Sequence, residues 1–190
     1  MDECSQNTEI IYIHGLNATG FAMLPFKYYN QKGHAVTYST FGTTLEQMID
    51  EVDQKIFEIV KTKDIKLILV GWSMGGIISN RLHQKGWNIL LGIYVASPLN
   101  GAKIFNTIPA LFSIHEYLKE KEEEPEPPHN YHTISLGWLN SSFDGAVFKN
   151  ETIIKEDKHQ HIGFTDHRFS AFDPRVLRAV YDKIGEVEDE

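Results

Sequence analysis

Apolar residues along this chain follow two alternating rhythms. Unbroken apolar runs at 10–13, 65–70 and 89–95 read as strands buried on both faces, with shorter strand candidates at 34–38, 131–136 and 151–155. Between them apolar residues return every three or four positions. The clearest case is 43–63, where Leu45, Met48, Ile49, Val52, Ile56, Ile59 and Val60 share one helical face. Thr43 with Glu46, or Thr44 with Gln47, offers that helix a capping box. Residues 21–32 read as a helix closed by Gly33, with Pro25 tolerated in the first turn. A helix follows 65–70 and ends near Gly86. The last helix starts at Asp173-Pro174 and buries Val176, Leu177, Val180, Tyr181 and Ile184.

Alternating apolar strands and amphipathic helices imply an α/β fold: a mostly parallel central sheet with helices on both faces. In such folds chemistry collects outside the carboxyl ends of the strands. One segment breaks the alternation. Residues 103–130 form a cap or loop insertion, whose charged and proline-rich half reads as a solvated loop. Its apolar stretch, 104–114, fits either a short cap over a substrate site or a helix packed on the core. The whole chain, 1–190, reads as one domain with loose tails at 1–8 and 186–190.

Charge and cysteine usage narrow the function classes. A formal net charge of −8 argues against nucleic-acid partners and against docking on an anionic membrane. The single cysteine, Cys4, excludes an internal disulfide and fits a reducing compartment. No apolar run approaches the roughly 18 residues a spanning helix needs, so stable membrane insertion is not expected. The polar, acidic N-terminus lacks a secretory pattern, which makes the expected location cytoplasmic.

The strand at 65–70 runs straight into Gly71-Trp72-Ser73-Met74-Gly75-Gly76, and helical sequence follows. This Gly-x-Ser-x-Gly turn puts a serine on a sharp strand-to-helix bend with its hydroxyl exposed above the sheet. Ser73 is therefore the candidate nucleophile. The helix start also directs backbone N–H groups at one spot, where an oxyanion can be held. A serine needs a histidine to take its proton and a carboxylate to orient that histidine. Chain order places the acid and base on loops after late strands, which selects Asp144 and His167. His161 and His159 compete as base; Asp157 and Asp166 are fallback acids, better read as surface charges. His159, His161 and His167 lack an accompanying Asp, Glu or Cys set with ligand spacing, so no metal is expected. His14-Gly15-Leu16-Asn17 follows the first strand and should face the bend, giving Leu16 N–H as a second oxyanion donor beside Met74 N–H. His14, Asn17 and Trp72 are the candidate substrate-binding residues. His14 reads more readily as a brace for its loop than as a base, and Trp72 either lines the acyl pocket or packs.

The segments Ile13-His14-Gly15-Leu16, Val70-Gly71-Trp72-Ser73-Met74-Gly75-Gly76, Ala96-Ser97-Pro98-Leu99-Asn100-Gly101, Asp144-Gly145-Ala146-Val147 and His167 together resemble the α/β-hydrolase superfamily, in particular its small lipase and esterase group. The resemblance implies a serine hydrolase of carboxylic esters with Ser73 as nucleophile, Asp144 as acid, His167 as base, and Leu16 and Met74 as oxyanion donors. Trp72 stands where histidine is common, and Leu99-Asn100 departs from the pattern after the following strand. The implied partner is a small-molecule or lipid ester; no cofactor is implied, and the oligomeric state stays open. A thioesterase or peptidase would use the same groups, and a non-catalytic binding protein on this scaffold is the alternative from another class.

Overall fold

The computed structural model describes residues 8–101, 127–137 and 141–188. Six strands form one sheet in the order β2-β1-β3-β4-β5-β6, and every neighbouring pair is parallel. They are β1 (Thr8–Ile13), β2 (His34–Val36), β3 (Lys66–Trp72), β4 (Asn88–Val95), β5 (Asn130–Gly137) and β6 (His159–Gly163). Helices α1 (Leu24–Asn30) and α4 (Pro174–Glu188) cover one face; α2 (Leu45–Val60) and α3 (Met74–Arg81) cover the other. Strand alternation sorts the core between these faces. Ile11, Ile13, Leu67 and Leu69 pack with Met48, Ile49, Val52 and Ile56 of α2. Ile10, Tyr12, Ile68 and Val70 pack with Phe26 of α1 and with Val176, Val180 and Ile184 of α4.

The strand order locates the site. The chain leaves β1 towards β2, then returns across β1 to lay down β3 on its other side. Loops leaving β1 and β3 therefore diverge, and a crevice opens at their carboxyl ends. The loop beginning at His14 and the bend carrying Ser73 occupy that position.

Several elements differ from the sequence expectation. The first helix is a 3₁₀ turn, Gly20–Met23, followed by α1, and it ends on Gln31 at φ 60° instead of reaching Gly33. β2 stops at Val36, because Tyr38 leaves the strand to brace His14. Of the two capping boxes open to α2, the structure uses Thr44 with Gln47. No strand forms at 151–155. Lys149–Thr152 is a helical turn in which the Glu151 carboxylate accepts from Phe148 N–H at 2.7 Å. The Asn100 side chain donates to the carbonyls of Asn150 and Ile153, fixing that turn against the loop after β4. The sixth strand comes later, at His159–Gly163, where a polar sequence pairs with β5 alone. The expected loose tail is helical as far as Glu188, which forms an ion pair with Lys32. Of the expected insertion, 103–126 lies outside the described residues, and Asn130 already belongs to β5.

Candidate active site

Ser73 sits between β3 and α3 with φ 56° and ψ −120°, a conformation L-residues rarely adopt. Its N–H donates to Val95 O at 2.8 Å, which holds the bend on the neighbouring strand. The close passage of β3 against α3 leaves no room for side chains. A Cβ at Gly71 would stand 2.4 Å from Gly75 O, and one at Gly75 would stand 2.1 Å from Ile13 O. Glycine at both positions lets α3 start directly over the ends of β1 and β3, so the serine hydroxyl faces the crevice.

A continuous hydrogen-bonded chain runs from Ser73. Ser73 Oγ and His167 Nε2 are 2.9 Å apart, and His167 Nδ1 is 2.8 Å from Asp144 Oδ2. A carboxylate oxygen only accepts, so Nδ1 carries the ring proton and Nε2 is left to accept from the serine hydroxyl. Asp144 is buried, and its second oxygen accepts from Ala146 N–H at 2.9 Å and Val147 N–H at 2.7 Å. Three donors thus satisfy the buried carboxylate. Its loop and the histidine turn are tied by His167 N–H donating to Asp144 O at 2.8 Å. Trp72 packs its ring 5.6 Å from the His167 ring, centroid to centroid, on the opposite side of the bend from α2.

The loop after β1 passes directly over the serine. A Cβ on Gly15 would lie 2.9 Å from Ser73 Cβ and 3.5 Å from Ser73 Oγ. Two side chains that the sequence reading did not single out fix this loop. Tyr38 Oη donates to His14 O at 2.7 Å, and Thr40 Oγ1 accepts from Asn17 N–H at 3.1 Å. No sequence signal marks either, because each acts across more than twenty positions. Leu16 is half-buried against the α2 side of the core, and Asn17 is exposed at φ 53°. Leu16 N–H and Met74 N–H, the first of α3, have no partner among the described residues.

His14 departs from the substrate-binding expectation. It is fully buried and stacked on Tyr38, its Nδ1–H donates to Gly15 O at 2.7 Å, and its Nε2 accepts from Tyr38 N–H at 3.2 Å. Burial holds its pKa below the usual histidine value, so the ring stays neutral and keeps both bonds. With both nitrogens taken and no open surface, His14 is a brace. Trp72 is likewise buried among core side chains, and its Nε1 has no partner among the described residues.

The competing histidines face elsewhere. His159 bonds Thr133 Oγ1 at 2.8 Å and Ser135 Oγ at 2.9 Å, while His161 Nδ1 bonds Ser135 Oγ at 2.8 Å. Both belong to β6 and its pairing with β5. Burial, then nearby Lys149, lowers the pKa of each, to about 4 for His159. Asp166 turns its carboxylate to backbone N–H groups, and Asp157 lies in an exposed turn. Among the described residues no cluster of three or more metal-ligating side chains occurs. No helix among them is long and apolar enough to cross a membrane.

No protein-family model matches the chain, and a search of curated proteins finds no match. Solved structures do match. The mature form of the Bacillus licheniformis lipase BlEst2 aligns with TM-score 0.68 at 17% identity, covering 95% of this chain and 92% of that one. The RedJ thioesterase from the prodiginine biosynthetic pathway in Streptomyces coelicolor aligns with TM-score 0.64 at 15% identity, covering 98% and 92%. A lipase-esterase related protein from Clostridium acetobutylicum aligns with TM-score 0.56 at 15% identity, covering 98% and 96%. At these identities the similarity is one of fold, and the fold is that of the α/β-hydrolases.

Proposed function

We propose that this chain, having the α/β-hydrolase fold, is a serine hydrolase that cleaves carboxylic esters through an acyl-enzyme. The reading rests on one observation: Ser73 Oγ, the His167 ring and the Asp144 carboxylate form an unbroken hydrogen-bonded chain at 2.9 and 2.8 Å, beneath the Gly15 backbone.

In this mechanism His167 Nε2 takes the hydroxyl proton as Ser73 Oγ attacks the acyl carbon. The imidazolium that forms keeps its Nδ1–H on Asp144, whose negative charge stabilises it. Leu16 and Met74 N–H groups receive the oxygen that becomes anionic. As the carbon–oxygen bond of the ester breaks, His167 returns the proton to the departing alcohol. Water then attacks the acyl-serine, giving its proton to His167, and the acid leaves with Ser73 restored. His167 gives that proton to Ser73 Oγ as the acyl–oxygen bond breaks; every proton moves between this chain, substrate and water, so the mechanism calls for no cofactor.

The test is direct. Intact protein exposed to a fluorophosphonate should gain one adduct mass on Ser73, and Ser73→Ala should gain none. Ester turnover over a p-nitrophenyl series from acetate to palmitate should vanish in the same variant. An unlabelled wild-type protein, or a Ser73→Ala variant with undiminished turnover, would overturn the reading. Thioesters present the same acyl carbon, and the RedJ similarity supports including an acyl thioester in the panel.

A further inference from the structure

We infer that Asp166 is a positioning residue for His167, holding the imidazole on Ser73 by capping the turn on which it sits. The inference rests on the reading of His167 as general base. The turn following Asp166 is short, and its two ends are held differently. Its far end is anchored by Ser170 and Ala171, both buried. Its near end presents Arg168 and Phe169 to solvent, with Phe169 at 66% exposure, so beyond the contact of the His167 ring with Trp72 packing does little to fix it.

Hydrogen bonds do that instead. Asp166 Oδ1 accepts from Arg168 N–H at 2.8 Å and from Phe169 N–H at 3.0 Å, and Asp166 O accepts from Ser170 N–H at 3.1 Å. These are the bonds of an N-cap, with His167 as the first residue of the capped turn. The main chain of His167 completes the arrangement: its N–H reaches Asp144 O at 2.8 Å, and its carbonyl accepts from Ser170 Oγ at 3.0 Å. Among the described residues only the Asp166 carboxylate accepts from both N–H groups that follow the base. The Ser73–His167 distance of 2.9 Å leaves little slack, since a misplacement of roughly 1 Å in such a contact costs about a hundredfold in rate. Losing one cap shifts a local equilibrium about fivefold.

The test compares Asp166→Ala, Asp166→Asn and Ser73→Ala in the full chain by ester turnover, rate of fluorophosphonate labelling and thermal melting. Asp166→Ala should lower kcat and the labelling rate about fivefold or more, with KM within about twofold and only a small shift in Tm. Asp166→Asn keeps an acceptor oxygen at the same place, so it should stay within about threefold of wild type with an unmoved acid limb in its pH–rate profile. Asp166→Ser, a shorter cap, should do the same and decides the matter should the alanine variant fail to fold. Full activity in Asp166→Ala, or an equal loss in Asp166→Asn, would overturn the inference. Persisting turnover in Ser73→Ala would instead overturn the hydrolase reading on which it rests.

Discussion

At Asp144 a single atom decides the tautomer of His167, the base of the proposed mechanism. Asp144→Asn would place an amide where the carboxylate accepts from His167 Nδ1, and the amide NH₂ would favour the proton on the wrong nitrogen. We expect kcat to fall about 10³–10⁴-fold with the fold intact, read by steady-state kinetics beside a circular dichroism spectrum. Tyr38→Phe removes the donor to His14 O without changing the ring stack. It should lower unfolding free energy by about 1 kcal/mol in a urea titration and reduce kcat several-fold, as the loop over Ser73 loosens. Ser73, Asp144 and His167 are legible in the sequence because bend chemistry and chain order restrict the choices. Tyr38 and Thr40 are not: a tyrosine and a threonine acquire their bonds to the loop over Ser73 only from groups that folding brings beside them.

Elements were readable where local chemistry and packing agree. Helix α2 carries its own start signal, and Thr44→Ala should cost about 1 kcal/mol of stability by removing a cap, measurable as a shifted urea midpoint. The bend is fixed more severely. Gly75→Ala forces a methyl to within 2.1 Å of Ile13 O, so β1 and α3 must separate. A loss of about 3 kcal/mol or more, or failure to accumulate as folded protein, is the expected outcome on expression and melting. Local preference and tertiary context part company after Asp144. Thr152, Ile153 and Ile154 favour a strand by side-chain shape, yet Asn100 and the Glu151 carboxylate hold 149–152 in a helical turn. Conversely His159-Gln160-His161 has little strand character, and becomes β6 because Thr133 and Ser135 hydroxyls on β5 satisfy its rings.

For the molecule as a whole, buried histidines set the response to acid. His129, His132 and His159 are all held to about 4, with desolvation the largest cause in each. Unfolding returns them to an ordinary value near 6.5, so between about pH 6.5 and 4 the unfolded chain binds more protons than the folded one. Stability from these groups is therefore complete above about pH 6.5 and is lost as pH falls towards 4. A pH series of thermal melts should show Tm dropping across that window. His132→Leu should flatten the drop, since His132 Nε2 is buried with no partner among the described residues. By itself the sequence determined the layered α/β architecture, the bend at Ser73 and the choice of its two partners, because hydrophobic period, glycine placement and chain order are local properties. Tertiary structure alone decided where the last strand lies, which distant groups His14 and Tyr38 share, and that the His167 turn docks on the Asp144 loop. Those outcomes depend on which distant polar groups become neighbours, and a linear pattern carries no record of that.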